Sequence, residues 1–173
     1  MHSVYSRLNS ILSYAVFLLS ALAVGNMITS FWLVGEPQVE LHINTVTSMM
    51  SRNHNDYVWL TFDLDADLRP LWNWNTKQLF VFLTAEYKSA KNEVNQIVLW
   101  DRIIQTKEDS LLHLQKERIE YPLVDQGHHL LGNEVRFYFS WDITPITGIL
   151  QKASKGEHLL TLPSDYIQSP IQL

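Results

Sequence analysis

Cysteine is absent from the 173 residues. That removes a disulfide framework, a thiolate-held zinc or iron–sulfur centre and a cysteine nucleophile. It leaves the compartment open, because oxidising compartments also hold cysteine-free proteins. Charge is scarce: 18% of residues are Asp, Glu, Lys or Arg, against about 25% in ordinary soluble domains. The net charge is −5, and no basic stripe exists to pair with phosphates, so a nucleic-acid partner is excluded. Six Gly and six Pro with no low-complexity tract argue against disorder and collagen-like repeats. Signatures of chemistry are missing as well: there is no Gly-x-Ser-x-Gly, no phosphate-cradling glycine loop and no Asn-x-Ser/Thr acceptor.

The charge deficit has a local cause. From Leu8 to Gly35 there is no Asp, Glu, Lys, Arg or His. Within that stretch Ile11 to Val34 reads as one apolar helix whose 24 residues reach about 36 Å, enough to cross a hydrocarbon core of about 30 Å. Twelve of them are Leu, Ile, Val or Phe, favouring insertion by roughly 4 to 7 kcal/mol. The expected organisation is a cytosolic tail over residues 1–10, a membrane-spanning signal anchor over 11–34, and a folded domain over 35–173 on the far side. Arg7 is the topology determinant: it precedes the helix, while Glu36 and Glu40 follow it. The rival reading is a cleaved signal peptide, with Ala21-Leu22-Ala23 as the processing site. The apolar run continues past that site through Met27, Ile28 and Phe31 to Val34, which favours the uncleaved anchor.

Beyond the anchor the chain reads as strands. Val39, Leu41 and Ile43 alternate with polar residues, as do Leu60, Phe62, Leu64, Ala66 and Leu68. Leu79 to Leu83 is a continuous apolar run, as in a strand covered on both faces. Ile97 to Trp100 with Ile103-Ile104, Val135 to Trp141, and His158 to Leu162 add further strands. Leu111 to Tyr121 fits either a helix or a strand. About seven antiparallel strands without long helices between them point to an all-β fold, a β-sandwich.

Candidate sites reduce to a few residues. Asp63, Asp65 and Asp67 open like a calcium loop, but Leu68 and Trp74 stand where that loop needs Gly and Glu. They read as the solvated side of a strand. His128-His129 is no zinc helix, because neighbours share no face. The densest unusual feature is Leu71 to Gln78. Trp72 and Trp74, two apart, share one face if they lie on a strand; core packing is the ordinary reading of such a pair, and the functional one is a partner-docking surface that they form with Asn75 and Lys77. No catalytic, cofactor, metal or glycosylation residue is expected.

Several blocks together resemble one family. Phe62 to Leu68, Trp74 to Phe80, Thr84 to Tyr87, Asn95 to Asp101 and Ser140 to Leu150, with Met1 to Arg7, Asn9 and the anchor, are similar in order to signal peptidase complex subunit 3. The resemblance implies a single-pass type II protein of the endoplasmic reticulum membrane with a lumenal β-sandwich. It implies a non-catalytic accessory subunit, without cofactor, that supports the serine-protease-like catalytic subunit in removing signal peptides from nascent secretory proteins. Partners implied are that catalytic subunit, other accessory subunits and the lipid bilayer, with the translocon as a further neighbour. Ser48-Met49-Met50 lacks the Pro that follows the Ser-Met pair of membrane signal peptidases, in keeping with no catalysis here. Two departures stand out: Asn133-Glu134-Val135 is no glycosylation acceptor where many members carry one, and the loop from Thr47 to Tyr57 is shorter than in animal members. The alternative function is an independent lumenal or secreted ligand-binding sandwich released by cleavage. A third is a hidden enzyme.

Overall fold

A computed structural model describes residues 3–167; residues 1, 2 and 168–173, the extremes of the expected tail and domain, lie outside it. Helix α1 runs Val4–Phe31, 28 residues or about 42 Å. It starts seven residues before the expected span because Ser3 caps it, its Oγ accepting the Ser6 N–H at 3.3 Å. It ends three residues short of Val34 in a tightened turn, with the Leu33 N–H on the Ser30 carbonyl. The stretch Val4–Ser30 is long and apolar enough to cross a membrane, and every side chain from Val4 to Leu22 is exposed. Three of its hydroxyls bond back to the helix: Ser10 donates to the Ser6 carbonyl (3.0 Å), Ser13 to that of Asn9 (2.9 Å) and Thr29 to that of Gly25 (3.0 Å), which lowers the cost of placing them in an apolar medium. The helix is unbroken through Ala21-Leu22-Ala23.

Among the described residues eight strands follow: β1 Gln38–Arg52, β2 Asn55–Asp67, β3 Thr76–Tyr87, β4 Asn95–Ile104, β5 Leu111–Arg118, β6 Leu123–Asp125, β7 Glu134–Pro145 and β8 Gln151–Thr161. They form two four-stranded antiparallel sheets. One has the order β1-β2-β5, with β6 also pairing to β2; the other is β4-β3-β7-β8. The expected β-sandwich is therefore present, with one strand more than the periodicity gave. β6 is only three residues long, too short to carry a period. The ambiguous Leu111–Tyr121 stretch is a strand through Arg118.

The β1–β2 hairpin turns on two residues. Arg52 pairs with Asn55, and Asn53 and His54 both have positive φ, 52° and 63°, as a type I′ turn requires. Alternation in β2 sends Val58, Leu60, Phe62, Leu64 and Ala66 inward, all fully or almost fully buried. They meet Leu79, Val81, Leu83 and Ala85 of β3 and Val135, Phe137, Phe139 and Trp141 of β7 in one core. Phe62 and Trp100 pack edge to face at 5.7 Å. The apolar run in β3 is corrected in one respect. Only its alternate residues face the core; Phe80 and Phe82 lie on the outer side of the sheet and stack on each other at 5.3 Å.

Asp63, Asp65 and Asp67 of β2 go separate ways. Asp63 Oδ1 accepts the Lys116 N–H at 2.6 Å and Asn44 Nδ2 at 2.8 Å, fastening a bulge in β5 where Lys116 has φ 50°. These bonds hold its carboxyl below the usual range. Asp65 lies 3.1 Å from His113. Asp67 grips Arg69 through two side-chain hydrogen bonds, 2.8 and 2.6 Å, which pull its pKa down to about 2.

Candidate functional site

The geometry that matters most is the joint between α1 and the sandwich. Asn75, 2% exposed, sits in the turn before β3, its N–H held by Asn73 Oδ1 at 2.8 Å. Its amide donates to Ser30 Oγ (3.1 Å) and to the Thr147 carbonyl (2.8 Å). Its Oδ1 accepts from Asn26 Nδ2 (2.9 Å) and from the Thr147 N–H (3.0 Å). Asn26 also donates to Thr147 Oγ1 at 2.9 Å. Every hydrogen-bonding position of the buried amide is therefore used, and the partners come from the helix, the β3 turn and the connection after β7. Asn26, the one side-chain amide late in the apolar span, is accounted for.

Close packing completes the joint. Gly148 has φ +112°, and a Cβ there would stand 2.6 Å from Met27 Cγ, so only glycine lets the β7–β8 connection approach the helix this closely. On the other side of the helix exit, the Gly35 N–H bonds the Pro70 carbonyl at 3.0 Å. Lys155 Nζ reaches Glu36 Oε1 and the Pro37 carbonyl, both at 3.0 Å.

The proposed docking residues thus separate. Trp72 and Trp74 are not on a strand; they occupy the loop between a short 3-10 turn, Arg69–Leu71, and β3, and they share no face. Trp72 is half-buried against the core, and its indole N–H donates to Ser110 Oγ. Trp74 is 62% exposed. Asn75 is spent inside the molecule. Lys77 is exposed at the start of β3. Arg7 lies in the second turn of α1, on the exposed helix surface.

Sequence reasoning missed the outer face of the second sheet. Directly paired residues share a face, so the pairs Phe80–Ile103, Phe82–Ser140 and Thr84–Val98 put Phe80, Phe82, Ile103 and Val98 together. Ile103 and Val98 are 54% and 39% exposed. Lys152 Nζ stands 5.2 Å over the Phe82 ring, at the edge of a shallow groove of about 550 Å³ that also takes in Tyr138 and Gln96. The signal in the sequence was the unbroken apolarity of Leu79 to Leu83.

At the opposite end from the helix lies a polar cluster. Tyr87 Oη donates to Asp125 Oδ1 at 2.7 Å, and His129 Nδ1 lies 2.7 Å from Asp125 Oδ2. His128 Nδ1 is 3.1 Å from buried Asp56, which also accepts from Tyr166 at 2.9 Å. Burial alone would raise the Asp125 pKa, but the Tyr87 and His129 hydrogen bonds outweigh it and hold the carboxyl below its ordinary value. Burial and the same carboxylate push the Tyr87 phenol upward. Among the described residues no group of three or more His, Asp and Glu side chains is placed to hold a metal ion.

Comparison with known proteins follows the same lines. A family model described as signal peptidase subunit matches residues 1–165. The protein called signal peptidase complex subunit 3 in Drosophila melanogaster is 35% identical over 99% of this chain and 100% of its own length. Its namesake in Dictyostelium discoideum is 32% identical over 97% and 98%, and that in Homo sapiens 33% identical over 96% and 97%.

Proposed function

The chain belongs to the signal peptidase subunit family, and on that premise we propose that it is a non-catalytic, stabilising subunit of the signal peptidase complex. In this reading it is a type II protein of the endoplasmic reticulum membrane: Arg7 stays cytosolic and the sandwich is lumenal. The observation that carries it is the joint. A sandwich fixed on a membrane-spanning helix through the fully bonded Asn75 is built to hold a surface at a set height and angle beside another membrane protein. Two of the blocks by which the sequence resembles the family, Trp74 to Phe80 and Ser140 to Leu150, meet at this joint.

What the subunit does is then a matter of contact. Confinement to one membrane raises the effective concentration of partner and sandwich, to the millimolar range for a short link, so a modest interface suffices. We assign that interface to the outer face of the second sheet, with the catalytic subunit as its occupant. Phe80, Phe82, Val98 and Ile103 make an apolar centre, and Asp101, Asp142 and Lys152 lie around it, the pattern of a protein–protein contact. The earlier docking set moves accordingly: Trp72 and Asn75 serve the inside of the molecule, and Trp74 and Lys77 lie at the helix end of the sandwich.

The test is co-purification from gentle detergent with mass spectrometry. Tagged full-length protein is expected to bring down the catalytic subunit, and Val98→Lys combined with Ile103→Lys is expected to lose it while leaving the protein in the membrane. Recovery of no catalytic subunit by the unaltered protein ends the accessory-subunit reading; undiminished recovery by the double variant moves the interface elsewhere. Protease protection in sealed microsomes checks the topology, with the sandwich expected to be shielded.

A further inference from the structure

Exposed apolar side chains concentrate at the helix end of the sandwich. Trp32 is 80% exposed, Trp74 62%, Ile146 63%, Ile149 68% and Leu150 61%. A water-soluble domain rarely places five such side chains at one end. Each stands in or next to the joint. Trp32 caps α1. Trp74 precedes Asn75, and the Ile146 N–H bonds the Asn75 carbonyl at 2.6 Å. Ile149 and Leu150 follow Gly148, the residue pressed on Met27.

The helix sets the depth of this patch. Beginning the hydrocarbon crossing just after Arg7, a core of about 30 Å takes about 20 residues and ends near Met27. Beginning it at Ile11 ends it near Ser30, leaving Asn26 about 6 Å inside. Asn26 and Met27 are the residues that touch the Asn75 turn and the β7–β8 connection. Both placements put Trp74 and the Ile146–Leu150 connection at the boundary between headgroups and acyl chains, where tryptophan is enriched and apolar side chains leave water.

We infer that the Trp74 turn and the Ile146–Leu150 connection are a second membrane contact, inserted in the interface of the bilayer that α1 crosses. The occupant is lipid, and the attraction is apolar. Charges at this end are of both signs and paired, Arg69 with Asp67 and Lys155 with Glu36, so no anionic lipid is called for and salt has little effect. A helix with one flexible link could let its domain swivel; a helix plus an inserted hairpin tip cannot. The inference rests on the membrane anchor and is independent of which face meets the catalytic subunit.

The absence of cysteine makes the test direct. Full-length protein carrying Ile146→Cys, Ile149→Cys or Lys91→Cys is spin-labelled and reconstituted in phosphatidylcholine vesicles. Collision with lipid-dissolved oxygen is then compared with collision with a water-soluble nickel chelate. All three positions are on the surface, so labelling leaves the core intact. The expected result is that oxygen dominates at 146 and 149 and nickel at 91, and that raised salt leaves the ratios unchanged. Nickel access at 146 and 149 equal to that at 91 overturns the inference. So does shielding that appears only after the catalytic subunit is added to the same vesicles, which makes the patch a protein interface.

Discussion

Asn75 and Tyr87 illustrate how a single polar group is used at each end of the sandwich. Tyr87 is 4% exposed and donates a hydrogen bond to Asp125. Tyr87→Phe removes one donor from a buried carboxylate and is expected to cost about 1–3 kcal/mol, seen as a lower melting temperature in detergent. The pH dependence has two limbs. Burial, together with the nearby His42, lowers the His158 pKa, so as pH falls through about 6.5 the unfolded chain takes up the proton first and stability declines. The lowered Asp125 pKa works at more acid pH. Its contribution is fully present above the unfolded value near 4 and is lost as pH falls through the lower folded value. A melting series from neutral to acid pH is expected to be flat above about 7 and to fall in these two steps. Tyr87→Phe should weaken the second step only. Nothing in the sequence announced these partners: Asp125 is 38 residues from Tyr87, and a pairing of that kind exists only when two strands meet.

At the level of elements, the regular strands were legible and the irregular ones were not. β2 alternates without interruption over thirteen residues, because a half-buried strand imposes a period of two. β5 hid behind its bulge: Lys116 adds a residue at positive φ, the alternation slips a register, and Gln115 to Arg118 mimic a helix face. β8 carries a second bulge at Gly156, between the pairs Tyr138–Glu157 and Phe139–Lys155. There φ is +76°, and a Cβ would lie 2.9 Å from Val39 Cγ1. Gly156→Val meets both the left-handed penalty and the crowding against β1, and is expected to destabilise by at least about 2 kcal/mol in denaturant titration. The same substitution at Gly132, also at positive φ but with open space around it, should pay the backbone term alone.

For the whole molecule the governing feature is the bonded joint between helix and sandwich. Asn75→Ala deletes the hub of that union, stranding the Thr147 N–H and leaving Asn26 with Thr147 Oγ1 alone, and is expected to weaken it by about 1–3 kcal/mol. The readout is the distance distribution between spin labels at positions 14 and 91 of the full-length chain in lipid: narrow for the parent, broad for the variant. Unaltered width would show that Gly35, Gly148 and Lys155 hold the angle without Asn75. A loosened joint should also weaken retention of the catalytic subunit, with the sandwich itself intact.

The sequence by itself determined the solvent each part lives in: a charge-free stretch of helical length belongs in lipid, and alternating strands belong in a two-layer sheet. Those are properties of composition and period, which any window of the chain displays. It also carried the family resemblance, because blocks of residues can be compared without knowing where they lie. Only the tertiary structure decided what the singular residues are for. Trp72 and Trp74 are two positions apart, yet one is packed on the core beneath Ser110 and the other stands exposed beside the helix exit. Asn26 reads as a blemish in an apolar span until Asn75 and Thr147, 49 and 121 residues away, are brought against it. A hydrogen bond is set by the position of its partner in space, and that position follows from how the sheets stack and where the helix leaves them.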